Sequence, residues 1–317
     1  MNRVPFLAGK RAVRSARASL ERSMVDLRDE QNARRTDAEG WRGARRMRSV
    51  TVDLELSGKT AIVTGGSRGI GKAIARELAL EGVDVAIAAR GREALETTAQ
   101  ELAAETGRKI VSVVADTGND DEVRAMVRQA AEALGRLDIL VNNAAVAGGQ
   151  APVPRLAEIT NEAFWADMNV KVMGYLRCAR EVAPYMIERG WGRVINISGL
   201  AARLSGSTIG SMRNVAVSAM TKNLADELGP HGINVTVVHP GPTRTEATPD
   251  VLAERARSQG IAVEEAERRM AQVSSVRRII DAREIAYVVT FLASPKAGAI
   301  NGDTIAAGGG VGHGIHY

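Results

Sequence analysis

Apolar residues along this chain recur in two rhythms. From Leu56 onward, short runs rich in β-branched residues alternate with longer stretches in which apolar side chains return every three or four positions. The runs are 60–63, 83–87, 110–114, 137–141, 192–197 and 233–238, with 303–306 as a seventh candidate. Stretches such as Lys72–Leu80 and Asp121–Leu134 carry the helical spacing. Strand runs apolar on both faces, each followed by a helix, predict a parallel sheet covered on both sides. The expected fold class is therefore α/β, a doubly wound parallel sheet in a single domain, with its ligand crevice beyond the carboxyl ends of the strands.

The first 50 residues break this pattern, with no sustained alternation and few large apolar side chains. They also hold the charge. The chain has a net charge of +5, yet residues 1–50 carry 13 Lys+Arg against 6 Asp+Glu, leaving 29 against 31 for the rest. A slightly acidic body argues against a basic groove, so no nucleic-acid partner is expected. Residues 1–55 read as a basic, disordered extension. Three readings stay open: a solvated tail or upstream translated segment, a helical arm for a partner or acidic surface, and an organellar presequence, against which Glu21, Asp26, Asp29 and Glu30 speak. Met24 and Met47 are alternative starts. Residues 56–310 form the expected domain, with 311–317 as a tail.

The one cysteine, Cys178, lies among Leu176, Ala179 and Val182 and reads as a buried, inert thiol in a reducing compartment. No apolar run reaches the ~18 residues of a membrane span, and no signal peptide is recognisable, so a cytoplasmic protein with no membrane partner is expected. The four histidines lack ligand spacing, so no metal site is expected.

The strongest local signal follows the first strand run. Thr64-Gly65-Gly66-Ser67-Arg68-Gly69-Ile70-Gly71 leads directly into a helix. Glycines here let the backbone turn tightly, approach a pyrophosphate and pack helix against strand, which makes the fold of the Rossmann type. Asp116 and Thr117 follow the third strand, Asn142-Asn143-Ala144-Ala145 the fourth, and Pro240-Gly241-Pro242-Thr243-Arg244-Thr245 the sixth. Glu284-Ile285-Ala286, Phe291-Leu292-Ala293-Ser294 and Asn301-Gly302-Asp303 close the series. In this order the motifs resemble the short-chain dehydrogenase/reductase family through nearly all of residues 56–310. The resemblance implies a cofactor site made by Gly65, Ser67, Arg68, Gly69, Ile70, Gly71, Asp116 at the adenine, Thr117, Asn143, Ala144, Asn214, and Pro240, Gly241, Thr243 and Thr245 at the nicotinamide carboxamide.

Choice of cofactor falls at the end of the second strand, where an acid would bind both ribose hydroxyls. Here the strand ends Ala88-Ala89-Arg90. With no acid present, Arg90 can pair with a 2′-phosphate through a forked, charge-assisted contact, and Arg68 adds a second cation. NADP(H) is expected over NAD(H); the alternative is that both arginines are solvated surface residues.

The resemblance also implies a tyrosine that exchanges the alcohol proton, a lysine four residues later, a serine that orients the substrate oxygen, and an asparagine on the preceding helix that carries a relay water. Asn169 is expected at the asparagine position. Ser198 either serves as the serine after a one-residue shift, or that position is empty. Counting back from Leu224-Ala225-Asp226-Glu227-Leu228 places the tyrosine position at Gly210 and the lysine position at Asn214. The tyrosines are Tyr175, Tyr185, Tyr287 and Tyr317, none between 186 and 286. Losing the acid/base group should cost about 10²–10⁴ in rate.

Other groups carry paired readings. Ser211 is a replacement donor or a hydroxyl without a base. Arg213, about 100° around the helix from Asn214, faces elsewhere. His239 approaches substrate or is a satisfied structural histidine. His316 and Tyr317, after Gly308-Gly309-Gly310, reach a neighbouring subunit or end a flexible tail. Residues 245–280 correspond to the family's substrate lid and read as a charged, mobile cover. The expected function is an NADP(H)-dependent oxidoreductase acting on a carbonyl or hydroxyl of a small molecule, as a homodimer or homotetramer. The rival is a dinucleotide-binding sensor or scaffold without turnover.

Overall fold

Alternate residues of each strand run are buried on opposite faces of one sheet, as a doubly covered sheet requires. The computed structural model describes residues 52–145, 153–312, 314 and 315. Of the extension expected over residues 1–55, residues 1–51 lie outside the described residues, as do His316 and Tyr317, while Leu54 packs against the core and Glu55 pairs with Lys296. The strands are β1 (Thr60–Thr64), β2 (Asp84–Ala89), β3 (Ile110–Val114), β4 (Ile139–Asn142), β5 (Gly192–Ile197), β6 (Ile233–Pro240), β7 (Thr243–Arg244), β8 (Ile280–Asp281) and β9 (Thr304–Ala307). The helices are α1 (Gly69–Leu80), α2 (Arg92–Thr106), α3 (Asp120–Leu134), α4 (Asn161–Met168), α5 (Gly174–Arg189), α6 (Thr208–Leu228), α7 (Thr248–Gln259), α8 (Val263–Gln272) and α9 (Ala282–Ala293).

Seven strands pair in the order β3-β2-β1-β4-β5-β6-β9, every pair parallel. The chain builds outward from β1 to β3, then returns to lay β4 on the other side of β1. That reversal opens the crevice between β1 and β4, where such sheets bind ligands. Ala61, Val63, Val85 and Ile87 bury one face with Ile74, Leu78, Leu95 and Val289 of α1, α2 and α9. Ile62, Ala86 and Leu140 bury the other with Val123, Met126, Cys178 and Val182 of α3 and α5. Full burial of each large aliphatic side chain contributes roughly 1.5–3 kcal/mol, so the two layers hold the sheet that positions the loops. Among the described residues no helix is long and apolar enough to cross a membrane.

Helix ends differ in a way that matters for ligands. Asn119 caps α3 by accepting from the amides of Asp121 (2.9 Å) and Glu122 (3.2 Å), and three acids fill its first turn. Asp281 and Glu284 make a capping box on α9. At α1 the N-cap is Arg68, with no side-chain cap and no acid in the first turn. Its amides are thus left to a partner from outside the helix.

The expected lid is a folded unit of its own. β7 pairs with β8 in register Thr243↔Ile280, closing a loop that carries α7 and α8. Leu252, Ala256, Ala266, Met270 and Ile279 form an apolar seam inside it, while Arg244–Glu267 and Arg269–Glu265 pairs lie outside. The charged surface read from sequence therefore covers a small core.

Candidate functional site

The glycine loop is cradled by strand ends on both sides. Ala88 O accepts from the amides of Gly65 (2.7 Å) and Gly66 (3.2 Å). Asn143 Nδ2 donates to the carbonyls of Thr64 and Gly65 (both 3.1 Å), and Thr64 Oγ1 accepts from the amides of Asn143 (3.0 Å) and Ala144 (3.1 Å). Asn143 and Ala144, expected at the cofactor, act here as the wall that shapes its loop. A Cβ on Gly71 would lie 2.2 Å from Gly65 O and 2.5 Å from Asn143 Nδ2. Gly65 and Gly69 adopt φ of +66° and +59°, where side chains are strained. Ser67 O accepts from Thr98 Oγ1 (2.9 Å), and Ile70 is the second residue of α1.

The Gly69 amide already holds an anion. Glu246, at the lid's start, accepts from it at 2.9 Å, beside Thr245, whose methyl lies 3.6 Å from the place of a Gly69 Cβ. Sequence reasoning did not reach Glu246, which lies 177 residues from its partner. Thr243 Oγ1 donates to Gly241 O (2.8 Å), fixing the turn after Pro240. Arg68 and Arg90 are both exposed at the carboxyl edge of the sheet, next to β1 and β2. Asp116 accepts from the Gly118 amide (2.8 Å) and Thr117 is buried behind it.

The Asn169 side chain makes its hydrogen bonds to the turn after β3 and to α5. A π-turn over Asn169–Met173 joins α4 to α5, and its wide winding fixes which residues face β5. Asn169 Nδ2 donates to Gly118 O (3.0 Å) and its Oδ1 accepts from Arg177 Nη2 (2.8 Å). Arg177 also donates to Thr117 O (3.3 Å) and pairs with Asp120. The asparagine thus braces the turn where the adenine is expected. Residues two apart on a helix point about 200° apart, and the residue that faces β5 is Lys171. Its Nζ donates to Ser198 O at 3.0 Å.

Around Lys171 the structure gathers a buried polar cluster. Ser198 Oγ donates toward Asn214 Oδ1 (3.2 Å). His239 Nδ1 accepts from the Gly199 amide (3.1 Å), which leaves Nε2 to donate to Ser218 Oγ (3.3 Å); Ser218 in turn donates to Asn214 O (3.2 Å). Burial, then the charges of Arg203 and Lys171, push His239 down to about 4, so the imidazole stays neutral and serves as a structural link. Burial above all, then Arg213, brings the Lys171 ammonium down to about 7, against the opposing pull of Asp167. Arg213 pairs with Asp167 on α4. Tyr175 Oη donates to Ile197 O (2.7 Å), and burial raises its pKa, so this phenol is a poor acid. Cys178 is buried, its thiol pushed up to about 12.

Gly210 lies in the first turn of α6, its amide donating to the N-cap Ser207 Oγ (3.1 Å). A side chain there would leave the helix toward that oxygen, 2.7 Å from its Cβ. Ser207 belongs to the wall of an open cleft of about 740 Å³, with Pro154, Leu204, Thr208 and Ser211. Ser211 Oγ donates to Leu204 O (3.1 Å). Gly210 thus faces Ser207, a wall residue of this cleft, and Asn214 lies one turn further along α6. Among the described residues no cluster of His, Cys, Asp and Glu suits a metal ion.

The family described as enoyl-(acyl carrier protein) reductase matches residues 65–312. The short-chain reductase protein NovJ of Streptomyces niveus is 35% identical over 262 residues, 82% of this chain and 97% of that protein. The NADPH-dependent reductase BacG of Bacillus subtilis is 32% identical, over 80% of this chain and 98% of its own length. The crystal structure of L-sorbose reductase from Gluconobacter frateurii, complexed with NADPH and L-sorbose, superposes with a TM-score of 0.78 at 28% identity, covering 83% of this chain and all of that one.

Proposed function

Because the chain belongs to the short-chain dehydrogenase/reductase family, we propose that it is an NADP(H)-dependent oxidoreductase of a small-molecule carbonyl or hydroxyl whose usual tyrosine and lysine are replaced by Gly210 and Asn214. The observation that carries the cofactor reading is the α1 terminus. It has no cap of its own, its Gly71 leaves room only for backbone, and its Gly69 amide takes a carboxylate where a pyrophosphate would bind. Arg68 and Arg90, with no acid ending β2, favour a 2′-phosphate over free ribose hydroxyls. The NADPH named for the sorbose reductase complex and for BacG supports the same choice.

The cofactor supplies a hydride when bound. This chain's residues bind and orient it: Gly65 to Gly71 at the pyrophosphate, Asp116 and Thr117 at the adenine, Asn143 and Ala144 beneath the loop, and Asn214 with Pro240, Gly241, Thr243 and Thr245 toward the nicotinamide. Ser198 and Asn169 are the residues assigned to the reaction itself, Ser198 orienting the substrate oxygen and Asn169 carrying the relay water, while the Asn169 side chain also braces the Gly118 turn. Half-exposed Met212 and Val215 on α6 support a homodimer or homotetramer, which light scattering would test.

Titration of the purified full chain with NADPH and NADH, followed by assay against ketones, aldehydes and quinones, tests the reading. Tighter NADPH binding with turnover of a carbonyl is expected. Tight NADPH binding without turnover would favour a sensor or scaffold, and no nucleotide binding would end both readings.

A further inference from the structure

Lys171 is an unusual lysine. It is 4% exposed, and among the described residues only one of its three N–H donors meets an acceptor, the carbonyl of Ser198 at 3.0 Å. A buried ammonium with unmet donors is costly, and such a group is kept where its charge or proton is used. Its position fits a use. Ser198 Oγ contacts Asn214 Oδ1 at 3.2 Å, and Asn214 is the position that the proposed function assigns to the family's lysine. The cleft begins one turn earlier, at Ser207 and Ser211. A cation lost from α6 thus has a counterpart entering from the π-turn between α4 and α5.

We propose that Lys171 is the acid/base group of this site, delivering from Nζ the proton that the family takes from a tyrosine. The proposal rests on the oxidoreductase reading above. In the reduction direction the carbonyl π bond opens and a C–H bond forms to the transferred hydride. The oxygen forms an O–H bond as one Nζ–H bond breaks, and the neutral amine regains a proton from water. The ammonium's ordinary value of 10.5 would make it a weak donor near neutrality, whereas its depression to about 7 matches the task. The charged groups facing it are Asp167 on α4, Arg213 on α6, and, from β6, His239, which is neutral near pH 7.

The test combines spectroscopy with kinetics on the full chain. With lysines labelled at Cε, one resonance should titrate near pH 7 in the nucleotide-free protein and be missing from Lys171→Met. In carbonyl reduction by NADPH, kcat should fall as pH rises through about 7, and Lys171→Met should lose about 10²-fold or more of kcat together with that limb. Lys171→Arg keeps a charge that does not deprotonate, so it should show the same loss; NADPH binding by both variants shows that each is folded. Retention of kcat within threefold in either variant, an unmoved pH limb, or a Lys171 resonance titrating above pH 10 would overturn the proposal while leaving the reductase reading intact. A wild-type protein that binds NADPH but reduces no carbonyl would overturn both.

Discussion

Replacing Lys171 by Met should make the protein more stable in mild acid and lose that advantage in base. The buried ammonium titrates near 7 instead of 10.5, which corresponds to about 5 kcal/mol between the protonation states. At pH 6 the lysine is charged in folded and unfolded chains alike, so the folded state bears the whole burial cost. Methionine removes that cost with little change of volume but leaves Ser198 O without its 3.0 Å donor, worth about 1–3 kcal/mol. The variant should therefore exceed the wild type by roughly 2–4 kcal/mol at pH 6. Between pH 7 and 10.5 the unfolded chain holds the proton and the folded chain has released it, so wild-type stability rises with pH by up to about 1.4 kcal/mol for each pH step. Urea unfolding of both proteins at pH 6, 8 and 10 measures the difference, in which other titrating groups cancel. The gap should narrow by about 4 kcal/mol from pH 6 to pH 10. A gap constant within about 0.5 kcal/mol would mean that the ammonium is hydrated, and the account of its burial would be wrong.

Three other perturbations probe the cofactor side. Gly71→Ala places a methyl 2.2 Å from Gly65 O; displacement of the loop should cost about 1–3 kcal/mol of stability and weaken NADPH more than tenfold, which calorimetry and thermal unfolding would read. Arg90→Ala should raise the dissociation constant for NADPH by about tenfold and leave that for NADH unchanged; equal effects on both would remove the arginine from the 2′-phosphate. Glu246→Gln removes a negative charge from the Gly69 amide it occupies at 2.9 Å, so NADPH should bind severalfold tighter, whereas unaltered affinity would mean that the carboxylate does not contest the pyrophosphate.

Much of this protein was determined by its sequence alone. The seven strand runs and the helices between them were legible because short runs apolar on both faces and stretches with a 3.6-residue period are each carried by their own residues. The glycine loop could be placed because Gly65 to Gly71 sits directly between a strand run and a helical stretch. Only the tertiary structure decided which side chains meet. Asn169 and Lys171 are two residues apart, and the π-turn that holds them sends one to the Asp116–Gly118 turn and the other to Ser198; helical phase through such a turn is set by packing, not by local spacing. Glu246 meets Gly69 only because β7 and β8 pair at the base of the lid. The same holds for charge: His239 stays neutral and Lys171 titrates near 7 because each is buried among partners brought from distant parts of the chain, and desolvation is a property of the fold and not of the residue.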